Sequence, residues 1–573
     1  MHKRWIFKEE PDPQVLSQLT TDLNGDEIIA RLLLNRGVQN FEEAKNYFNP
    51  KLEDLHDPLL MKDMKEAVHR LDQAIDNEEK ILIYGDYDVD GTTSVALVYS
   101  FLSQVYEHLD FYIPDRYLEG YGISFQGIDF AKENGITLII ALDCGIRAID
   151  KVAYAKEKGI DFIICDHHTP GDQIPEAIVL NPKRKDCEYP YKHLSGCGVG
   201  FKFMQAFCEH NLMDESLLFQ FLDLLCISIA ADIVPITGEN RILAHFGLGH
   251  LNEYRRAGIF QLLRTGSKEN QKLNIEDIVF TIAPRINAAG RISSGKEAVE
   301  LLTTEDEQFA YEMAVQIDAY NQERREIEKD ITAEAILKLE EDDHKFTNVV
   351  ADEQWHKGVV GIVASKIIER YRYRPTIVFA QVEDVFVGSA RSVSDYSVYD
   401  ALLQCDDLIE KWGGHNAAAG LSVKKENFSA FRQRFEEVVQ ATISEDQLVP
   451  EIEIEMNLNF GDLLSGMDKE GRTKLMRIIG RMEPFGPNNM KPIFRSTNVM
   501  DCGSRLVGDD QNHLKLDLFQ EGDMANRMGG IGFFMGEDYL KKIQNGPAEI
   551  VYTLEENPWN GKIYPQLNVK DIK

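Results

Sequence analysis

Between residues 80 and 180 one pattern repeats: a short β-branched run, then a segment with helical period. The runs lie at 81–84, 111–113, 138–142, 162–165 and 177–180. Between the first two, Val95, Val98, Tyr99, Leu102 and Val105 recur at helical spacing. Alternation of this kind predicts a parallel α/β sheet, and ligands of such sheets bind outside the carboxyl ends of the strands. What stands at those ends is therefore the place to look for function.

Acids and imidazoles stand there. The first run leads into Asp86-Tyr-Asp-Val-Asp-Gly91, the third into Asp143-Cys-Gly145, and the fourth into Asp166-His167-His168. A further apolar run at 227–231 leads into Asp232. Three carboxylates at alternate positions of one loop suit a hard divalent cation. An EF-hand opens in the same way but needs Glu at its twelfth position, where this chain has Leu97. A lone Asp after a strand is usually a helix cap, and an Asp-Gly pair usually a solvated turn. Several acidic strand ends with a histidine pair exceed what caps explain and predict a metal site. No Walker A sequence is present, so ATP-driven work is not indicated.

The rest of the chain divides by pattern. Its 573 residues are too many for one core. Residues 1–75 read as a polar helical appendage, 76–300 as the α/β catalytic domain and 301–345 as a long connecting helix. In that helix Thr304 to Glu307 reads as a capping box. Ala310, Met313, Ile317, Tyr320, Ile327 and Ile331 form its apolar stripe, and its charged remainder reads as a solvated face. Residues 346–445 form a second α/β domain with strands at 349–351 and 376–379. From Ile452 the period becomes two, so 446–573 reads as a small β-barrel. The eight cysteines contain no CxxC pair and several sit in apolar runs; they read as buried reduced thiols of a cytoplasmic protein. Neither a signal peptide nor a membrane-spanning run is expected. The net charge of −33 opposes nucleic-acid binding, unless carboxylates hold metal and basic residues gather in one groove.

These motifs continue in order through Ala283-Pro-Arg-Ile-Asn-Ala-Ala-Gly-Arg291, Lys357-Gly-Val-Val-Gly361, Gly388-Ser-Ala-Arg-Ser392, the Gly-rich stretch from Gly413 to Gly420, Glu483-Pro-Phe-Gly-Pro487 and His513-Leu-Lys-Leu516. The series resembles the DHH phosphoesterase superfamily and, within it, the RecJ family of exonucleases, over residues 80 to 570. The resemblance implies a parallel-sheet DHH domain, a DHHA1-like substrate-binding domain and a C-terminal OB-like barrel. It implies a single-stranded-DNA-specific 5′→3′ exonuclease, active in DNA repair and recombination through two divalent cations, Mn²⁺ or Mg²⁺. Asp143 would bridge the ions, Asp88 serve one, and Asp90, His167 and Asp232 the other, with Asp86 where relatives often place a further ligand. His168 would lie near the scissile phosphate as acid or stabiliser, and Asp166 would orient the histidines. Arg116, Ser389 and Arg391 would hold a 5′ phosphate, which arginine's fork suits. Arg285, Asn287, Arg291 and His415 would face the strand. Arg370 to Arg374 alternates cations and rings, but its place between a helix and a strand favours plain surface. The implied state is a monomer without membrane association, with a single-strand-binding protein and a helicase as partners. Two other readings stand beside this one. Phosphodiesterases of short oligonucleotides or cyclic dinucleotides in the same superfamily are shorter and lack the barrel. An inert DHH-type replication scaffold would lack ligand residues that this chain keeps.

Overall fold

The computed structural model describes residues 3–573. They form two compact units, one of residues 55–234 with 238–450, the other of residues up to 54 with 235–237 and 451–573.

The first unit opens with helix α1 (Met64–Asp76) and a five-stranded parallel sheet. Its strands are β1 (Lys80–Gly85), β2 (Leu109–Tyr112), β3 (Ile136–Leu142), β4 (Asp161–Cys165) and β5 (Ile178–Leu180), in spatial order β2-β1-β3-β4-β5. The order reverses at β1. From β1 the chain leaves through α2 (Val89–Leu102) towards β2, then returns across β1 to β3. The loops leaving β1 and β3 therefore part, and the crevice between them is where such sheets bind ligands.

Helix α2 is buried on almost every side, against the sheet and against α3 (Gly196–His210) and α4 (Leu222–Ala231). The run at 227–231 is the last turn of α4 and not a strand. Its Ala-rich sequence tolerates a helix, and burial all round removes the amphipathic period that would have marked one. Further on, α5 (Ala283–Ile292) carries the Arg285–Arg291 segment. The long helix α6 (Glu307–Glu340) is capped by Asp306, whose carboxylate accepts from the backbone of Gln308 and Phe309 (2.8 and 3.0 Å), and not by Thr304. Nor is its charged side all solvated. Arg324 and Glu328 are buried and paired at 2.7 Å, and Lys366 closes on Glu328 from the next helix, Val360–Arg370.

The second sheet contains β6 (Asn348–Asp352), β7 (Thr376–Val382), β8 (Val385–Arg391), β9 (Lys411–His415) and β10 (Ala418–Lys424), ordered β9-β10-β8-β7-β6. Only β6 and β7 run parallel. Gly388 to Arg391 form the end of β8. The glycine is needed there because a Cβ would lie 2.4 Å from the ring of Phe379. The Arg370–Arg374 run is surface: Arg374 binds the carbonyls of Lys345 and Leu448, and Arg372 lies over the Tyr371 ring.

In the other unit, Arg4–Phe7 pairs in parallel with Glu451–Ile454. The N-terminal stretch is thus not wholly helical, and the start of the alternating run at Ile452 pairs outside the barrel, while its end, Met456–Asn457, pairs with the barrel strand that begins at Phe494. The barrel itself is closed by five strands: Phe494–Asp501, Ala548–Trp559, Lys562–Ile572, Asp523–Gly532 and His513–Gln520, the last pairing back to the first. Phe494, Leu514, Leu516, Leu518, Ile550, Tyr552 and Leu567 fill it. Phe485 packs against this core, whereas Trp559 is 65% exposed. Among the described residues seven of the eight cysteines are buried and all are free thiols, and no helix is long and apolar enough to cross a membrane.

One buried ion pair anchors the helical layer beneath the sheet. Lys202 of α3, fully buried, binds Glu239 at 3.3 Å, the carbonyl of His56 and the side chain of Gln205. Glu239 also accepts from Tyr189 Oη and the His56 amide. Lys202→Ala leaves that carboxylate buried without its cation and is expected to cost roughly 3–5 kcal/mol, read by urea denaturation; a loss below about 1 kcal/mol would mean the pair behaves like a surface contact.

Candidate active site

Local geometry drives the acidic side chains into the crevice. Asp86 follows β1 and is fully buried; Oδ1 accepts from Gly122 N at 3.1 Å. Asp88 caps α2 by accepting from Gly91 N at 3.0 Å. Gly91 has no alternative, since a Cβ would sit 2.3 Å from the Asp86 carbonyl. Asp90, in the first turn, accepts from the backbone of Gly196 and Cys197 at the start of α3 (2.7 and 2.9 Å) and from Ser228 Oγ of α4 (2.6 Å). Asp143 leaves β3 at φ 60°, and Gly196 makes room for it, because a Cβ there would lie 2.6 Å from Asp143 Oδ1. Asp232 ends α4 and is followed by Ile233 at φ 57°. A β-branched residue at positive φ is strained, and such strain collects at functional sites.

His167, after β4, stands at the centre. Its Nδ1 lies 3.1 Å from the Leu194 carbonyl and can only donate there, which leaves Nε2 as a bare lone pair. Burial lowers its pKa to about 4, so the ring is neutral near pH 7. Nε2 lies 3.2 Å from Asp143 Oδ1 and 3.6 Å from both Asp90 Oδ2 and Asp232 Oδ2. These are acceptors facing acceptors. His167 Nε2, Asp143 Oδ1 and Asp86 Oδ2 are buried with no hydrogen-bond partner. Burial, followed by mutual repulsion, drives the Asp143 and Asp86 carboxyls well above the usual range and raises Asp232 to about 8. The Asp88 carboxyl also rises, through burial foremost. Converging lone pairs of carboxylate and imidazole type fit divalent cations of the Mn²⁺ or Mg²⁺ class, whose charge would reverse each of these shifts.

Asp166 differs from its neighbours. Burial works against its charge, but His168 outweighs it and lowers the pKa to about 2. Oδ1 accepts from His168 N and Nδ1 (3.0 and 2.8 Å) and Oδ2 from Ile146 N (2.8 Å), so the carboxylate is spent on orienting His168. Burial opposes the His168 cation too, yet Asp166 raises its pKa. Tyr121 completes this side. Its Oη lies 3.2 Å from His168 Nε2 and donates towards the Asp143 carbonyl at 3.1 Å. Sequence reasoning passed over Tyr121; the signal was its place between Gly120 and Gly122, both at positive φ. A cavity of about 720 Å³ opens beyond, lined by Tyr121, Arg147, His168, Tyr399, His415 and Asn416.

Cations gather next to the acids. Arg116 lies over the ring of Tyr87, 4.9 Å from its centroid, and Tyr87 is part of the acidic loop. Ser389 and Arg391 project from one face of β8, with Arg391 Nη1 2.8 Å from Ser389 Oγ. A Cβ on Gly361, at the start of the helix Val360–Arg370, would meet both, so that helix end lies against the pair. Arg291 is half-buried, its Nε is buried without a hydrogen-bond partner, and burial together with Arg116, Arg324 and Arg391 lowers its pKa to about 10. A guanidinium among guanidiniums is the counterpart of the acidic cluster, and it suits an anion. Arg324, from α6, was missed in the sequence because the pattern assigned it to a solvated face. His415 at the end of β9 feels both Arg391 and His168; burial first, then these two, lower its pKa. Asn287 is half-buried on α5, one turn before Arg291. Arg285 is not part of this group. It is buried and committed to Asp318 (2.9 Å), Thr265 Oγ1 and the Thr281 carbonyl, so its expected place at the strand gives way to a structural one.

Residues 80–229 match the DHH family, N-terminal domain; 343–441 match the DHHA1 domain; 468–571 match the RecJ OB domain. The single-stranded-DNA-specific exonuclease RecJ of Bacillus subtilis is 37% identical over 572 residues, 99% of this chain and 70% of that protein. Its Escherichia coli namesake is 33% identical, over 95% of each chain. The chain belongs to the RecJ family. As a RecJ-family protein it is a metal-dependent hydrolase of the nuclease kind. The crystal structure of RecJ from Thermus thermophilus in complex with Mn²⁺ superposes with a TM-score of 0.84 at 26% identity, covering 100% of this chain and 79% of that one.

Two outcomes follow for the metal-free protein, kept in chelator. Folded Asp143 and Asp232 hold protons at pH values where the unfolded chain, with pKa about 3.9, has lost them. Stability is therefore present at low pH and declines as pH rises from about 4 towards 8, and Mn²⁺ should flatten that slope. Asp143→Asn removes one of the repelling charges and is expected to raise the metal-free Tm while abolishing the Tm gain on adding Mn²⁺. Both are read by thermal denaturation; a lower metal-free Tm with the Mn²⁺ gain intact would show that the cluster is not what repels or binds.

Proposed function

We propose that this chain is a single-stranded-DNA-specific exonuclease that removes nucleotides from the 5′ end by two-metal-ion hydrolysis, in DNA repair and recombination in the cytoplasm. One observation carries the reading: within one compact unit an electron-rich cluster of buried acceptors adjoins Arg116, Arg291 and Arg391, for which no carboxylate partner is found among the described residues. The first suits cations and the second a terminal phosphate. Kinship with proteins named for this activity supports it.

In this reading Asp143 would serve both ions, Asp88 one of them, and Asp90, His167 and Asp232 the other, with Asp86 available as a further ligand. Asp90 keeps one free lone pair, on Oδ2, since each carboxylate oxygen accepts twice and Oδ1 already accepts from Cys197 N and Ser228 Oγ. When bound, the ions supply Lewis acidity towards the phosphate and a nucleophilic water at neutral pH. The chain's own residues do the rest. Arg116, Arg291, Ser389 and Arg391 bind the 5′ phosphate and fix the register of cleavage. Asp166 holds the His168 ring through Nδ1, so that Nε2 faces the cavity and can give a hydrogen bond or a proton to an oxygen there. His415, between His168 and Arg391, bridges the two groups along the strand. The closed barrel offers the backbone-and-stacking surface by which such folds hold single strands.

The test is single-stranded DNA labelled at its 3′ end, with Mn²⁺. Progressive shortening, lost in EDTA and in Asp143→Ala, is expected. Arg391→Ala should lower kcat/KM for 5′-phosphorylated DNA by about 10- to 100-fold, as expected for losing a charge-assisted phosphate contact of roughly 1.5–3 kcal/mol, and much less for 5′-hydroxyl DNA. Immediate release of the labelled nucleotide alone would reverse the polarity. Turnover confined to dinucleotides would move the chain to the short-substrate phosphodiesterases.

A further inference from the structure

A second set of metal-type donors lies outside the crevice. His69 and Asp72 stand one turn apart on α1, and His210 is the last residue of α3. One donor atom from each lies within 4.8 Å of the other two. His210 Nε2 is 3.3 Å from Asp72 Oδ2, and the two imidazoles meet edge to face at 5.2 Å. The other oxygen of Asp72 accepts from Asn211 Nδ2 at 3.0 Å, which fixes the carboxylate plane.

We propose that His69, Asp72 and His210 form a surface site for a divalent cation of the Zn²⁺ type, which clasps α1 to α3. Four points support this. Two imidazoles and one carboxylate are the donor set zinc takes with three protein ligands and a water. With metal–ligand bonds of about 2.0–2.1 Å, tetrahedral donors stand roughly 3.3–3.4 Å apart, which is the spacing already found between His210 and Asp72. The third donor, on His69, lies within 4.8 Å of the other two. The Asn211 contact is the orienting hydrogen bond that ligating carboxylates usually receive. Finally, the site sits at the carboxyl end of the 15-residue α3, where the helix dipole favours positive charge.

The site is softer and smaller than the catalytic cluster, with two nitrogens among three donors. It should therefore prefer Zn²⁺, Ni²⁺ or Cu²⁺ over Mn²⁺ and Mg²⁺. Occupancy ties the helix that precedes the sheet to the helix whose first turn receives Asp90, so it should stabilise the catalytic unit without entering the chemistry.

Equilibrium dialysis of the full chain against Zn²⁺ tests this, with metal counted per chain. His69→Gln and His210→Gln should each bind one equivalent fewer than the parent, while Asp143→Asn keeps that equivalent. In EDTA the histidine variants should melt with the parent; with Zn²⁺ they should gain less in Tm. Their Mn²⁺-dependent nuclease rate should be unchanged. If one variant melts early in EDTA, Asp72→Asn, which keeps the shape and the Asn211 contact, replaces it. Equal zinc uptake by the parent and all three variants would overturn the proposal and leave a surface ion pair.

Discussion

The catalytic unit is organised around buried like charge. Four elements, the loops after β1, β3 and β4 and the end of α4, deliver acceptors to one point, with a neutral imidazole lone pair at its centre. Hydrogen bonds compensate Asp88 and Asp90 in part, but Asp86 Oδ2, Asp143 Oδ1 and His167 Nε2 are buried without any. The fold therefore commits part of its stability to a site that only an external cation satisfies, and much of the local architecture serves this end: the glycine starts of α2 and α3, the positive φ of Asp143 and Ile233, and the capping of α3 by Asp90. Removing any of these would relax the convergence rather than delete a contact.

The same logic explains how a chain of net charge −33 can address a polyanion. Overall charge matters at long range, where salt screens it. At the point of contact the relevant charges are those within a few ångströms. There burial, together with the nearby Arg116, Arg324 and Arg391, lowers the basicity of Arg291, whose Nε has no hydrogen-bond partner. The acidic excess and the phosphate site coexist because metal would neutralise the one and the terminal phosphate the other.

Much of this was legible in the sequence, for physical reasons that can be named. Parallel strands buried on both faces give short continuous apolar runs, so β1, β3 and β4 stand out and their carboxyl ends can be counted. The acids at those ends were legible with them. Asp232 was found by residue type although its element was misread, because a helix buried all round shows no period. Arg285 was misplaced because a buried arginine and a phosphate-binding arginine look the same in a motif; only the partners, Asp318 and Thr281, tell them apart. Tyr121 was missed because its partners, Asp143 and His168, are distant in sequence, and Arg324 because the helix pattern placed it on a solvated face. The strand pairing of Arg4–Phe7 with Glu451–Ile454 joins residues about 447 apart, which no local pattern reports.

Converging acceptors around Asp143 and His167 should define two cation positions, and anomalous scattering at the manganese edge from crystals grown with Mn²⁺ reads them directly. Two peaks about 4 Å apart are expected, both in contact with the Asp143 carboxylate and one of them with His167 Nε2. A single peak, or peaks that leave Asp143 Oδ1 and His167 Nε2 without a metal, would contradict this.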